Sequence, residues 1–162
     1  VTGVQTCALP ILTIWSIGKK GFEHFQKNRF VVDPAYKDIF LQLSFEQVQA
    51  CAKAAVRAFE QKSFDRVELV YSEFRNAATQ KFVVEQFLPI PKVQKKPGAK
   101  NSDFIFEPQK EQLIAELMPK ILNTQLYKAV LDAHASEHGA RMTAMDKATE
   151  NANKLQIGRA HV

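Results

Sequence analysis

The 162-residue sequence has only two cysteines, Cys7 and Cys51, with no CxxC pair and no His/Cys cluster at zinc-ligand spacing. A disulfide framework and a structural zinc site are thereby excluded, and a reducing compartment fits. No apolar run approaches the roughly 18 residues that a membrane span needs, and the apolar start Val1–Trp15 lacks a basic leader, so neither direct membrane insertion nor a secretory signal is expected. Charge of one sign is nowhere concentrated: 22 Lys and Arg stand among 17 Asp and Glu, giving +5 without a basic tail. The loop lysines Lys92, Lys95, Lys96 and Lys100 have no aromatic residue among them for base stacking, so no nucleic-acid partner is expected.

Recognised phosphate cradles are missing too. Gly18-Lys19-Lys20-Gly21 lies between a strand-like and a helix-like run, but neither GxxxxGK[ST] nor GxGxxG is present, and the segment reads as a plain turn. Ser, His, Asp and Glu are scattered without a motif for nucleophilic or acid–base chemistry, so no catalytic residue and no cofactor are expected. His134 and His138 stand at i, i+4. However, Glu137 is the third residue after His134 rather than the first, and no third ligand is suggested, which argues against a zincin-type metal site.

The two ends differ in kind from the rest. Residues 1–11 (VTGVQTCALPI) and 157–162 (IGRAHV) read as translations of one synthetic DNA adapter and of part of its reverse complement. They are therefore set aside before fold reasoning, and Cys7, Arg159 and His161 are expected to carry no function. The natural stretch is expected to run from about Leu12 to Gln156, cut at both sides.

Within it, Leu12–Ile17 is a short apolar, β-branched run that reads as a buried strand. Phe22, Phe25 and Gln26 then give a short helix, Phe30–Val32 a second strand, and Asp33-Pro34 its end. Ser44 stands three residues before Gln47 in a capping-box pattern. The stripe Val48, Cys51, Ala52, Ala55, Val56 and Phe59 that follows predicts a helix. Arg66–Tyr71 and Lys81–Leu88 look like neighbouring strands, and Pro89–Ser102 like an exposed loop, followed by a brief extended Asp103–Pro108. Gln109–Met118 suits a short helix with a boundary near Pro119. Lys120–Gln156 holds no proline and only Gly139, so it supports one helix on the order of 55 Å long.

In that helix Leu131, Ala135, His138, Met142, Met145, Thr149 and Ala152 are spaced by alternating fours and threes, the repeat of a coiled-coil seam. Small seam residues imply a closely packed partner. No other segment of the chain is long enough to cover the stripe, so the chain is expected to fold poorly alone.

Three stretches carry a resemblance: Asp103-Phe-Ile-Phe-Glu-Pro108, Tyr127-Lys-Ala-Val130 and, above all, the block from Ala135 to Ala152. The block matches an S-E-x-x-A-R-M-x-A-M-x-x-A-T-x-N pattern through Ser136, Glu137, Ala140, Arg141, Met142, Ala144, Met145, Ala148, Thr149 and Asn151. In these, and in the order of the earlier elements, the chain resembles the gamma subunit of F-type ATP synthases.

The resemblance implies an α/β fold. A central Rossmann-like three-layer domain (12–108, incomplete) would be followed by the start of a long C-terminal helix (109–156), which pairs in an antiparallel coiled coil in the full subunit. It also implies a non-catalytic rotor that transmits torque between the proton-driven membrane ring and the catalytic head. The implied partners are the alpha and beta subunits, the epsilon subunit and the c-ring, at the cytoplasmic face of a bacterial inner membrane. Tyr127 and Glu137 would face the ring and the epsilon subunit, and Met142, Met145 and Asn151 the approach to the head, with Arg141 on the same contact surface.

Overall fold

The computed structural model describes residues 12–91, 107 and 109–159. The lysine-rich loop and most of the extended segment ending at Pro108 lie outside the described residues, as do residues 1–11 and 160–162. The chain divides into two compact units, Val1–Cys51 and Ala52–Val162.

In the first unit, β1 (Thr13–Trp15), α1 (Lys19–Lys27) and β2 (Val31–Asp33) form a small β-α-β element. Its strands pair in parallel through Thr13 and Val31, Ile14 and Val32, and Trp15 and Asp33. Glycine is required twice in the Gly18–Gly21 turn. Gly18 has φ of 112°, a conformation that side chains with a Cβ disfavour. A Cβ at Gly21 would sit 2.8 Å from the Ser16 hydroxyl oxygen. Gly18 thus turns the chain out of β1, while Gly21 lies in the first turn of α1 and not in the plain turn read from the sequence. Phe30 N donates to Phe25 O and Arg29 N to Gln26 O, each at 3.1 Å. These two bonds close α1 as a Schellman motif around Arg29 at φ 60°.

The helix predicted after Ser44 is α2 (Phe45–Glu60). The Ser44 hydroxyl accepts from Gln47 N at 3.4 Å, the N-cap half of the predicted box. Val48, Cys51, Ala52 and Ala55 are its buried face. Burial, reinforced by the Asp33 carboxylate, pushes the Cys51 thiol up to about 12, so Cys51 is a core residue and not a nucleophile.

In the second unit, β3 (Val67–Asn76) and β4 (Thr79–Leu88) form an antiparallel hairpin, longer than the runs read from sequence. Its two-residue turn, Ala77-Ala78, is held by Asn76 Oδ1, which accepts from Ala78 N at 3.1 Å and Thr79 N at 2.6 Å. This asparagine bridge ends one strand and starts the next without a glycine. Among the described residues the strands make two separate two-stranded sheets. With the long helix, they give the expected α/β class.

Helix α3 runs unbroken over Lys110–Arg159, 50 residues or about 75 Å at 1.5 Å per residue. The boundary expected near Pro119 does not exist. A proline inside a helix removes one hydrogen bond and crowds the carbonyl four residues back. Here both Pro119 and Ala115, whose carbonyl is affected, are exposed, so water can take the freed acceptor. Glu116 and Lys120 bridge the site with an ion pair at 2.6 Å, and the strong helix formers on either side carry the helix through.

One stripe of α3, comprising Leu122, Leu126, Ala129, Val130 and Ser136, is buried. The helix lies along β3 rather than β4. The Ser136 hydroxyl donates to Ser72 O at 3.0 Å, and the Thr143 hydroxyl, one heptad on, donates to Ala77 O at 2.8 Å. Gln80 Nε2 donates to Ser136 O at 2.8 Å, and Gln125 Nε2 to Glu85 Oε1 at 2.9 Å. Gly139 explains itself here. A Cβ at this position would stand 3.1 Å from the Phe74 ring and 3.2 Å from Ala77 Cα, so the helix can approach the hairpin this closely only without a side chain.

Candidate partner-binding surface

At 100° per residue, the stripe beginning at Leu131 falls almost opposite the stripe that meets the hairpin. It is open: Leu131 is 40% exposed, Met142 49% and Met145 57%. His138, Thr149 and Ala152 are exposed too, and Ala135 is half-buried. The same alternation of threes and fours extends backwards through Lys128, Thr124, Ile121, Leu117 and Ile114, all of them exposed. The open seam therefore spans Ile114–Ala152, about 57 Å of helix. Its N-terminal third was hidden in the sequence because Pro119 suggested a break and because Thr124 and Lys128 interrupt the apolar pattern.

The six predicted contact residues do not form one cluster. Tyr127 and Asn151 are about 36 Å apart along the axis. Glu137 and Arg141 do meet, with Oε1 and Nη2 2.5 Å apart. Both side chains are largely in solvent, where such pairs contribute little to stability and remain available to a partner. Met142 and Met145 lie on the open seam, and Tyr127 is half-buried near the same azimuth. Asn151 is exposed beyond the hairpin-facing stretch.

A second apolar surface had no clear signal in the sequence. On one face of the hairpin, Val70 pairs with Val84, and Phe82 lies two residues away on the same strand. All three are exposed, Phe82 at 82%. Alternation alone could not show that this face lacks a cover among the described residues. Apolar patches of this kind mark contact surfaces.

Among the described residues no three His, Cys, Asp or Glu side chains gather as a metal site, and no helix is long and apolar enough to cross a membrane. The Tyr71 hydroxyl donates to Glu85 Oε2 at 3.2 Å. Its pKa is raised by burial and by that carboxylate, so it stays protonated as part of the hairpin–helix contact.

Fold and surface together define an α/β protein whose long helix is anchored on a hairpin along one face and exposed along the other. A family profile described as ATP synthase matches residues 6–157. That span takes in the second half of the leading 11 residues and one residue of the trailing six. The ATP synthase gamma chain of Cytophaga hutchinsonii is 48% identical over 143 residues, covering 86% of this chain and 48% of that protein. The gamma chain of Flavobacterium johnsoniae is 46% identical, covering 88% and 50%. The rotor of Euglena gracilis mitochondrial ATP synthase shares the fold at a TM-score of 0.55 and 19% identity, over 94% of this chain and 60% of that one. The chain belongs to the ATP synthase gamma chain family. It spans about half the length of the curated relatives it matches.

Proposed function

We propose that the chain is part of the central rotor shaft of an ATP synthase. It carries torque between a membrane ring driven by protons and the catalytic head, and does no chemistry itself. The observation that carries this reading is the open seam Ile114–Ala152, a stripe of about five heptads suited to a second helix in an antiparallel coiled coil. Two helices with small residues such as Ala135, Thr149 and Ala152 between them approach closely and resist sliding. In this reading Met142 and Met145 pack under the second helix, and the residues outside the seam's centre, Tyr127, Glu137, Arg141 and Asn151, serve subunit contact. The partners are the alpha and beta subunits, the epsilon subunit and the c-ring, with the complex on the cytoplasmic face of a bacterial inner membrane. Rotation of an asymmetric shaft acts by differential contact energy with each catalytic site.

The test is a chimera in which residues 12–156 replace the corresponding half of the Flavobacterium johnsoniae gamma chain, assayed for ATP-driven proton pumping in vesicles. Pumping is expected, together with its loss when Met142 and Met145 are both replaced by Asp. An assembled chimera that hydrolyses ATP without pumping would overturn the proposal.

A further inference from the structure

The charges beside the open seam are sorted by side. With the seam on positions a and d of a heptad, Leu131, His138 and Met145 are d residues and Ala135, Met142 and Thr149 are a residues, so the two rims of the seam are the e and g positions. The e rim, read every seventh residue from Glu111 to Asn153, carries Glu111, Asp132 and Asp146 and no base. The g rim, from Leu113 to Leu155, carries Lys120 and Arg141, with His134 between them, and no acid. Lys128, a charge inside the seam itself, belongs to neither rim. The acidic rim is the one beside the hairpin. Its Gln125 donates to Glu85 Oε1 at 2.9 Å, and burial of Tyr71, helped by the charges of Glu85, Asp132 and Glu73, raises the pKa of that hydroxyl, so the acid continues from the helix onto the strands. On the other rim each cation is held by a glutamate four residues back on the same helix, Lys120 by Glu116 at 2.6 Å and Arg141 by Glu137 at 2.5 Å. Both pairs lie largely in solvent, where they are weak and can be shared with a third charge.

Orientation decides which rims meet. In an antiparallel pair of helices the e rim faces the other e rim and g faces g, whereas in a parallel pair e faces g. We propose that the seam selects an antiparallel helix charged in the opposite sense, with Lys or Arg along its e rim and Asp or Glu along its g rim. This rests on the coiled-coil reading above and adds the partner's chemistry to it. Such a helix sets bases against Asp132 and Asp146 and acids against Lys120 and Arg141, and the two intrahelical pairs become clusters of three charges. A second copy of the chain fits that place poorly. Run antiparallel, it would bring acid to acid and base to base, a juxtaposition that is repulsive. The rims therefore exclude as well as attract. Side chains on a rim keep an outer side in solvent, so Arg141 still serves contact with other subunits.

The test mixes the 162-residue chain with two synthetic helical peptides that span the seam and are identical except at e and g. The first has Lys at e and Glu at g, the second the reverse, and each carries a spin label at its N-terminus. The first peptide is expected to bind antiparallel, so that its label broadens backbone amide signals around Ala152 and not around Ile114, and the second to bind the other way round. Reversing one charge on each rim of the chain, with Asp146→Lys and Arg141→Glu together, should weaken binding of the first peptide about tenfold at low salt. That loss should shrink as salt is added, with far-ultraviolet helicity unchanged. Broadening around Ile114 by the first peptide, or binding that ignores the double reversal, would overturn the charge selection and leave the coiled-coil reading in place. If neither peptide binds, the coiled-coil reading fails and the charge selection with it.

Discussion

The two long faces of α3 have the same helical repeat and opposite fates. The face toward the hairpin is built from Leu122, Leu126, Ala129, Ser136, Gly139 and Thr143. It is satisfied within the chain by packing and by hydroxyls that bond to backbone carbonyls. The face from Ile114 to Ala152 is richer in large apolar side chains and has no cover in the described chain. Hydrophobicity therefore does not decide which face of a helix is filled from within. Here the filled face is the one small enough to let a strand come close, and the greasier face stays exposed among the described residues.

The contrast is sharpest in two leucines. Leu126→Ala is expected to destabilise the second unit by about 2–5 kcal/mol, as deletion of a buried side chain does. Leu131→Ala, on the open face, should cost less than about 1 kcal/mol. Comparable chemical-denaturation midpoints for the two would break the comparison. Next, Gly139→Val forces a side chain into the Phe74–Ala77 contact and is expected to cost about 1–3 kcal/mol, with hydrogen exchange quickening first in β3. Unaltered exchange there would mean that the close approach is not needed.

Ser136→Ala leaves the Ser72 carbonyl without its hydroxyl partner in a buried contact, an expected loss of about 1–2 kcal/mol. Double mutation with Ser72→Ala should be close to additive, because the bond is to the Ser72 backbone and not to its side chain. The smallest effect belongs to pH. Lys120, by hydrogen bond and charge, holds the Glu116 carboxyl below its ordinary value. A depressed folded pKa means that the stabilisation is present above the unfolded carboxylate range and fades as pH falls through the folded value. Amide protection around Pro119 should therefore drop slightly on acidification and stop responding in Lys120→Met. Equal acid sensitivity in that variant would remove the ion pair from the account.

Much of this was legible beforehand where one residue type has one physical use. Ser44 capped its helix, the alternating runs around Leu69 and Val83 became paired strands, and the 3.5-residue repeat from Leu131 onward marked the open seam. The hairpin-facing stripe was not legible. Ala129, Ser136, Gly139 and Thr143 carry almost no hydrophobic signal, and their role depends on how near another backbone comes. Pro119 misled for a related reason: local rules count the lost hydrogen bond, whereas the cost also depends on whether solvent can reach the orphaned carbonyl. Of the candidate site, Glu137 and Arg141 stand at the i, i+4 spacing that lets such side chains meet, whereas the approach of His134 to His138 needed rotamers that no sequence pattern gives.

The hydroxyl bonds from Ser136 to Ser72 and from Thr143 to Ala77 are one heptad apart, about 10.5 Å along the axis. Two such anchors do more than hold a helix down: they index it. A cylinder gripped at one point can still roll, but gripped at two points on a single meridian it has a fixed bearing. The hairpin thus acts as a key in a keyway and sets the angle at which the open seam faces outward. A twist applied at one end of the helix would reach this unit as a change of phase, with little of it lost as slip.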